Sequence, residues 1–148
     1  MIVFLCALTP FLFSQGKNEI YTEVGIALTT VNNSINYERV IYHKNWFRIN
    51  GRISLGMIRE TNYDYDGGYW TLGSVFSFNH GRHNYDLNLG GGYFNSWGSS
   101  GYGSGYRTFG KGIIPSISIA YELKAKWLMF KTGIGFPNFL FAGLGFRF

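Results

Sequence analysis

Charged side chains are scarce in this sequence: Asp, Glu, Lys and Arg make up only 14% of its residues. In a soluble domain such residues make up roughly 25–35% of the surface, so much of this exterior is expected to avoid water. Long apolar runs are missing too. The longest, Met1 to Phe13, is broken by Thr9 and Pro10, whereas a spanning helix needs about 18–20 apolar residues in succession. Helical periodicity is absent. The other way through a bilayer is a closed barrel, where each backbone N–H and C=O pairs with a neighbouring strand. An unusually aromatic soluble β-protein is the competing reading.

Cysteine occurs once, as Cys6. It lies in residues 1–14, which read as a cleaved signal peptide: an apolar core from Ile2 to Phe13, then Ser14-Gln15-Gly16 and the first charge at Lys17. A buried first strand is the alternative. The positively charged start of such a leader is missing, which leaves a start upstream of Met1 open. No Leu-Ala-Gly-like lead-in marks Cys6 as a lipoprotein cysteine. The remaining residues, 15–148, form one domain without thiols, and so without disulfides or thiolate chemistry. The net charge of +5 comes from Lys and Arg scattered along the chain. Nucleic-acid binding needs a concentrated basic patch, and no basic run supplies one.

What the sequence does have is aromatics (20%), glycine (21 residues) and alternation. In Phe47 to Arg59, Phe47, Ile49, Ile53, Leu55 and Met57 share one face. Arg48, Asn50, Arg52, Ser54 and Gly56 share the other, because side chains alternate across a strand. The same rhythm marks Ile20 to Leu28, Tyr85 to Tyr93, Ser116 to Leu123, Leu128 to Ile134 and Leu140 to Phe148. With Ser34 to Tyr42 and Tyr69 to Asn79, eight strands are expected, most near the roughly 9–11 residues of a tilted spanning strand. The fold class is therefore all-β: a closed, antiparallel, up-and-down transmembrane barrel.

From a periplasmic N-terminus, the outer connections would be Asn32-Asn33, Glu60 to Gly68, Ser96 to Thr108 and Pro137-Asn138. The inner ones would be His43 to Asn45, His80 to His83 and Lys124 to Lys126. Short inner turns and longer outer loops are the usual asymmetry of such barrels.

Periodicity alone does not say which face points outward. Scarce charge, a polar face rich in Gly and Ser, and a balanced set of ions favour an apolar exterior. Glu23, Glu38, Asp86 and Glu122 stand against Arg48, Arg52, Lys131 and Arg147 on the polar face. Buried charges are tolerable only when paired, and this set can neutralise itself. In an eight-stranded barrel side chains usually fill the lumen, so a plugged core is expected rather than a pore. Tyr42, Trp46, Tyr69, Trp70, Trp97 and Trp127 fall at strand ends, where rings with one polar edge suit the headgroup level. Arg39 resists: with Glu38 inward, it points to lipid unless a bulge or snorkelling relieves it.

The chain ends Gly143-Leu-Gly-Phe146-Arg-Phe148, which resembles the terminal signal read by the barrel-assembly machinery. Ala142 stands where that signal has a polar residue. More widely, Ile35-Asn-Tyr37-Glu38-Arg39, then Phe76 to His83 leading to Leu87-Asn-Leu-Gly90-Gly-Gly92, and Trp127 to Gly133 with Phe136-Pro137, resemble small outer-membrane barrels of Bacteroidota. The resemblance implies a fold and a compartment, the bacterial outer membrane, and no catalytic residues. The expected partners are outer-membrane lipid and lipopolysaccharide and the barrel-assembly machinery, with a larger outer-membrane complex as a further candidate.

Signals for chemistry are weak. Gly105 to Gly112 nearly matches a phosphate-binding loop, but Gly112 replaces the magnesium-binding Ser/Thr and no helix follows. His43, His80 and His83 could converge on one rim and bind a transition metal, although unliganded turn histidines are commoner. No cofactor is expected. A lipid A-modifying enzyme would need a Ser–His pair near the outer leaflet, and every His falls on the opposite rim. The leading reading is a non-enzymatic structural or accessory barrel. A surface-binding module is the alternative, acting through Tyr63, Tyr65, Tyr69, Trp70, Trp97, Tyr102 and Tyr106 on two long outer loops, because Tyr with Ser and Gly makes adaptable surfaces.

Overall fold

The computed structural model describes residues 18–27, 30–60, 66–97 and 111–148, with the backbone alone at positions 66, 96 and 97. The expected signal peptide and most of the Gly105 to Gly112 stretch lie outside them. Eight strands follow in order: β1 (Asn18–Ala27), β2 (Thr30–Lys44), β3 (Phe47–Glu60), β4 (Asp66–His80), β5 (His83–Trp97), β6 (Gly112–Ala125), β7 (Leu128–Phe136) and β8 (Phe139–Arg147). Each pairs antiparallel with its neighbours, and β8 returns to β1, so the sheet closes. Closure removes both sheet edges along the shared length of the strands, leaving one-sided pairing where β2 and β6 run past a neighbour.

Three connections at one end are two-residue turns, at 45–46, 81–82 and 126–127. Asn45, Gly81 and Lys126 take positive φ there, the twist that two-residue hairpin turns need. Both termini of the barrel lie at this end, where Asn18 and Phe148 exchange backbone hydrogen bonds of 3.0 Å. The opposite end carries the connections at 28–29, 61–65, 98–111 and Pro137-Asn138.

Several strands run further than alternation indicated. Asn32 and Asn33, expected as an outer turn, lie within β2 and pair with Ile58 and Met57 of β3. Asparagine favours turns through its side-chain bonding, but here the Asn32 side chain is buried in the lumen instead. Similarly, β6 starts at Gly112 and runs through Pro115, which β7 never reaches because its pairing begins at Ile117. A proline without an N–H is tolerated on such a free edge.

Side-chain polarity is inverted relative to a soluble barrel. Ile35, Ile53, Leu55, Leu72, Leu89, Ile117, Ile119, Ile134 and Leu144 are exposed, one or more from almost every strand. Glu19, Glu23, Glu38, Asp86, Glu122, Arg48 and Lys131 are buried. The exposed apolar side chains form a belt around the tube, whereas a soluble monomer shows isolated patches of a few hundred Å². Trp46, Trp70 and Trp127 are exposed near strand ends, with Trp46 stacked on Phe78 and Trp127 on Phe146. Arg39 stays on the outer face, paired with Gly51, but sits level with Asn18 at the end of β1. A bulge between Val40 and Tyr42 follows it. Arg39 thus stands at the last pair of the β1–β2 ladder, toward the short-turn end.

Candidate functional site

The inward positions of all eight strands converge on one continuous polar network, stacked in three levels along the tube. At the short-turn end, Arg48 donates to Glu19 at 2.8 Å. Lys124 lies 3.0 Å from Glu19 and 2.7 Å from Glu122, and Arg147 approaches Glu19 at 3.8 Å. In the middle, Lys131 sits 2.7 Å from Asp86 and 3.0 Å from Glu38, with Glu122 at 3.9 Å. Glu38 also accepts from the Tyr21 hydroxyl and from Asn50 at 2.7 Å. In the third level, Arg52 donates to Glu23 at 2.9 Å, to Asn36 at 2.7 Å and to Ser54 at 3.0 Å. The Tyr21 ring lies between the upper levels, with the Arg52 guanidinium 5.5 Å and the Lys131 ammonium 5.1 Å from its centre. Such cation–π contacts strengthen when water is excluded.

Glycine makes the room. Gly143 and Gly145 of β8 face inward beside β1, where a Cβ at Gly145 would strike the Tyr21 Cβ and the Ile20 carbonyl. Tyr21 and Glu23 can cross the lumen only because their β8 neighbours have no side chain.

Beyond Arg52 the lumen is sealed from the other side. Asn138, in the β7–β8 turn, folds inward, accepts from Asn32 and donates to Glu23 at 3.4 Å. Gly25 permits this, since a Cβ there would lie 2.8 Å from the Asn138 Cβ. Tyr69 donates to Asn32 at 2.9 Å. Above them Ile58, Tyr69, Phe94 and Ile114 pack as an apolar cluster with Phe136 against it. A cavity of about 20 Å³ remains, bordered by Glu23, Arg52, Asn88, Ser116 and Asn138. That is room for about one water molecule.

All eight ion-network residues expected from the sequence face this lumen, though Arg147 is 36% exposed at its mouth. Two members were missed, Glu19 and Lys124. Glu19 has the same parity as Tyr21 and Glu23, and Lys124 the same as Glu122. Alternation would have found both had the strands been extended to their true ends. Tyr69 is a correction. It was expected at an outer binding surface, yet it is 6% exposed and belongs to the lumen. Parity again gives the reason: Tyr69 alternates with Trp70, which is exposed. Of the remaining loop aromatics, Tyr63, Tyr65, Tyr102 and Tyr106 lie outside the described residues, and the Trp97 backbone pairs with Asp66. At the C-terminus, Gly143 faces Glu23, while Phe146 and Phe148 are exposed.

The three histidines share a rim without converging. His80 and His83 pair across the β4–β5 turn, while His43 pairs with Arg48. The His83 ring is hydrogen-bonded to the Tyr121 hydroxyl. Among the described residues no group of three His, Cys, Asp or Glu is placed to hold a metal ion.

No protein-family model and no curated protein matches the chain. The architecture is similar to that of the outer membrane protein Ail of Yersinia pestis, whose backbone structure was solved in a phospholipid bilayer nanodisc. The TM-score is 0.51 at 14% identity, over 90% of this chain and 100% of that one. The fold is thus an eight-stranded barrel of outer-membrane type.

Proposed function

We propose that this chain is an integral barrel of the bacterial outer membrane, with no enzymatic activity, acting as a structural or accessory subunit of a surface complex. The observation that carries the reading is the inverted polarity: a belt of exposed Ile, Leu, Val and Phe around a lumen of interlocked ions. Burying such a belt in water-free hydrocarbon gains about 25 cal/mol per Å², while leaving it in water promotes association. The likeness to a barrel solved in a bilayer supports the same compartment, while a source in Bacteroidota rests on the short sequence stretches around Tyr37, Gly90 and Trp127 alone.

The lumen supports a scaffold rather than a pore. Each lumen carboxylate has a cation within 2.7–3.0 Å, and the outer half is closed by Asn138 and the cluster around Phe94. An open channel would need a hydrated path, and the side chains occupy it.

Fractionation of the producing cell's envelope tests the reading. The protein is expected in the outer-membrane fraction after urea washing, and reversible cross-linking there should capture a partner in constant ratio. Reconstituted into planar bilayers, it should give no ion conductance above the bare membrane. A chain that is monodisperse without detergent, or a barrel isolated without any constant partner, would contradict it.

A further inference from the structure

Cations scattered along the sequence are gathered by the fold at one end of the barrel. The chain holds 13 Lys and Arg and 8 Asp and Glu. Five acids are buried in the lumen, namely Glu19, Glu23, Glu38, Asp86 and Glu122. Five cations meet them there: Arg48, Arg52, Lys124, Lys131 and, at the mouth, Arg147. The lumen is therefore neutral. The other three acids, Glu60, Asp64 and Asp66, lie in or beside the 61–65 connection at the long-loop end. Arg59, Arg107 and Lys111 belong by chain position to that same end and balance them. What is left is Arg39, Lys44, Arg82 and Lys126 at the short-turn end, with Lys17 immediately before β1. Among the described residues that rim carries four cations outside the lumen and no acid beside them.

Lys44, Arg82 and Lys126 are exposed, and none forms an ion pair among the described residues. They stand just past Trp46, Phe78, Tyr85, Trp127 and Phe146, rings exposed at the edge of the apolar belt. A ring of cations one step beyond an aromatic girdle lies at the depth of lipid phosphates. We propose that the short-turn rim is a binding surface for anionic phospholipid headgroups, engaging their phosphates through Lys44, Arg82 and Lys126. Three turns on different hairpins present these cations, so they contact different lipids around the circumference. The arrangement recruits a shell of anionic lipid in the adjoining leaflet and fixes which end of the barrel faces it. The inference rests on the membrane insertion proposed above.

The test uses the folded barrel in two sets of nanodiscs without lipopolysaccharide, one of phosphatidylcholine alone and one with phosphatidylglycerol added. Spin-labelled phosphatidylglycerol and phosphatidylcholine report which lipid is held at the protein surface. Wild type should insert into both and hold phosphatidylglycerol with a several-fold preference that falls as salt is raised. The triple variant Lys44→Gln, Arg82→Gln, Lys126→Gln should insert equally and lose the preference, whereas Lys111→Gln at the other end should keep it. Insertion without preference, or a preference that survives the triple variant, would overturn the inference and leave the membrane reading standing. Failure to insert into either set would overturn the membrane reading itself.

Discussion

Replacing Lys131 by Met is expected to destabilise the barrel by about 3–5 kcal/mol, the cost of removing one partner from a buried ionic cluster. The expectation is at the upper end because a single ammonium serves several groups. Lys131 lies 2.7 Å from Asp86, 3.0 Å from Glu38 and 3.9 Å from Glu122. Met fills similar volume and takes the near cation from Asp86 and Glu38, whereas Glu122 keeps Lys124 at 2.7 Å. Glu38 keeps its bonds from Tyr21 and Asn50, so adding Glu38→Gln to Lys131→Met should restore part of the loss. Reversible urea unfolding in detergent micelles, followed by tryptophan fluorescence, measures both variants. A Lys131→Met midpoint equal to wild type would show that the network fills space without holding the fold.

Gly145→Val is expected to do more: to cost at least about 3 kcal/mol, or to prevent closure altogether. Gly145 sits on the seam where β8 meets β1, paired with Tyr21. A Cβ there would meet the Tyr21 Cβ and Ile20 carbonyl, and would lie 2.7 Å from the Tyr21 Cα. These are backbone and near-backbone atoms, so no rotamer change makes room. Gly91→Val is the control, since its Cβ would come no nearer than 3.6 Å to the Ile114 carbonyl. The readout is electrophoretic: a closed barrel migrates differently before and after boiling in detergent. Gly145→Val should lack the compact band and Gly91→Val should retain it. Compact migration by both would mean the seam tolerates a side chain, contrary to the packing described.

Much of this was legible in the residues themselves. Period-two alternation placed all eight strands, because a two-sided wall imposes it on every residue that faces hydrocarbon or lumen. It failed at strand ends, where the wall rises past the apolar belt and outward positions no longer need to be greasy. Asn32-Asn33 therefore read as a turn, and Lys124 as part of one. Tyr69 was misplaced for another reason: a tyrosine near a loop looks like a girdle residue, and only its parity with Thr71 marks it as inward. The charge segregation could not be read along the chain. Which cations are cancelled depends on register, as when Glu19 meets Arg48, Lys124 and Arg147 from three other strands. The space-making role of Gly25 was likewise silent until Asn138 was seen folded against it.

The central claim is that successive residues of each strand face hydrocarbon and a sealed polar lumen in turn. Nitroxide labels at single cysteines introduced along β3 and β6, at Ile53, Ser54, Leu55, Ile117, Ser118 and Ile119, test it most directly in reconstituted bilayers. Collision rates with oxygen, which concentrates among acyl chains, should be high at Ile53, Leu55, Ile117 and Ile119 and low at Ser54 and Ser118. A water-soluble nickel chelate should reach none of the four outward sites. Nickel access at those four, with oxygen contact showing no two-residue rhythm, would contradict the account.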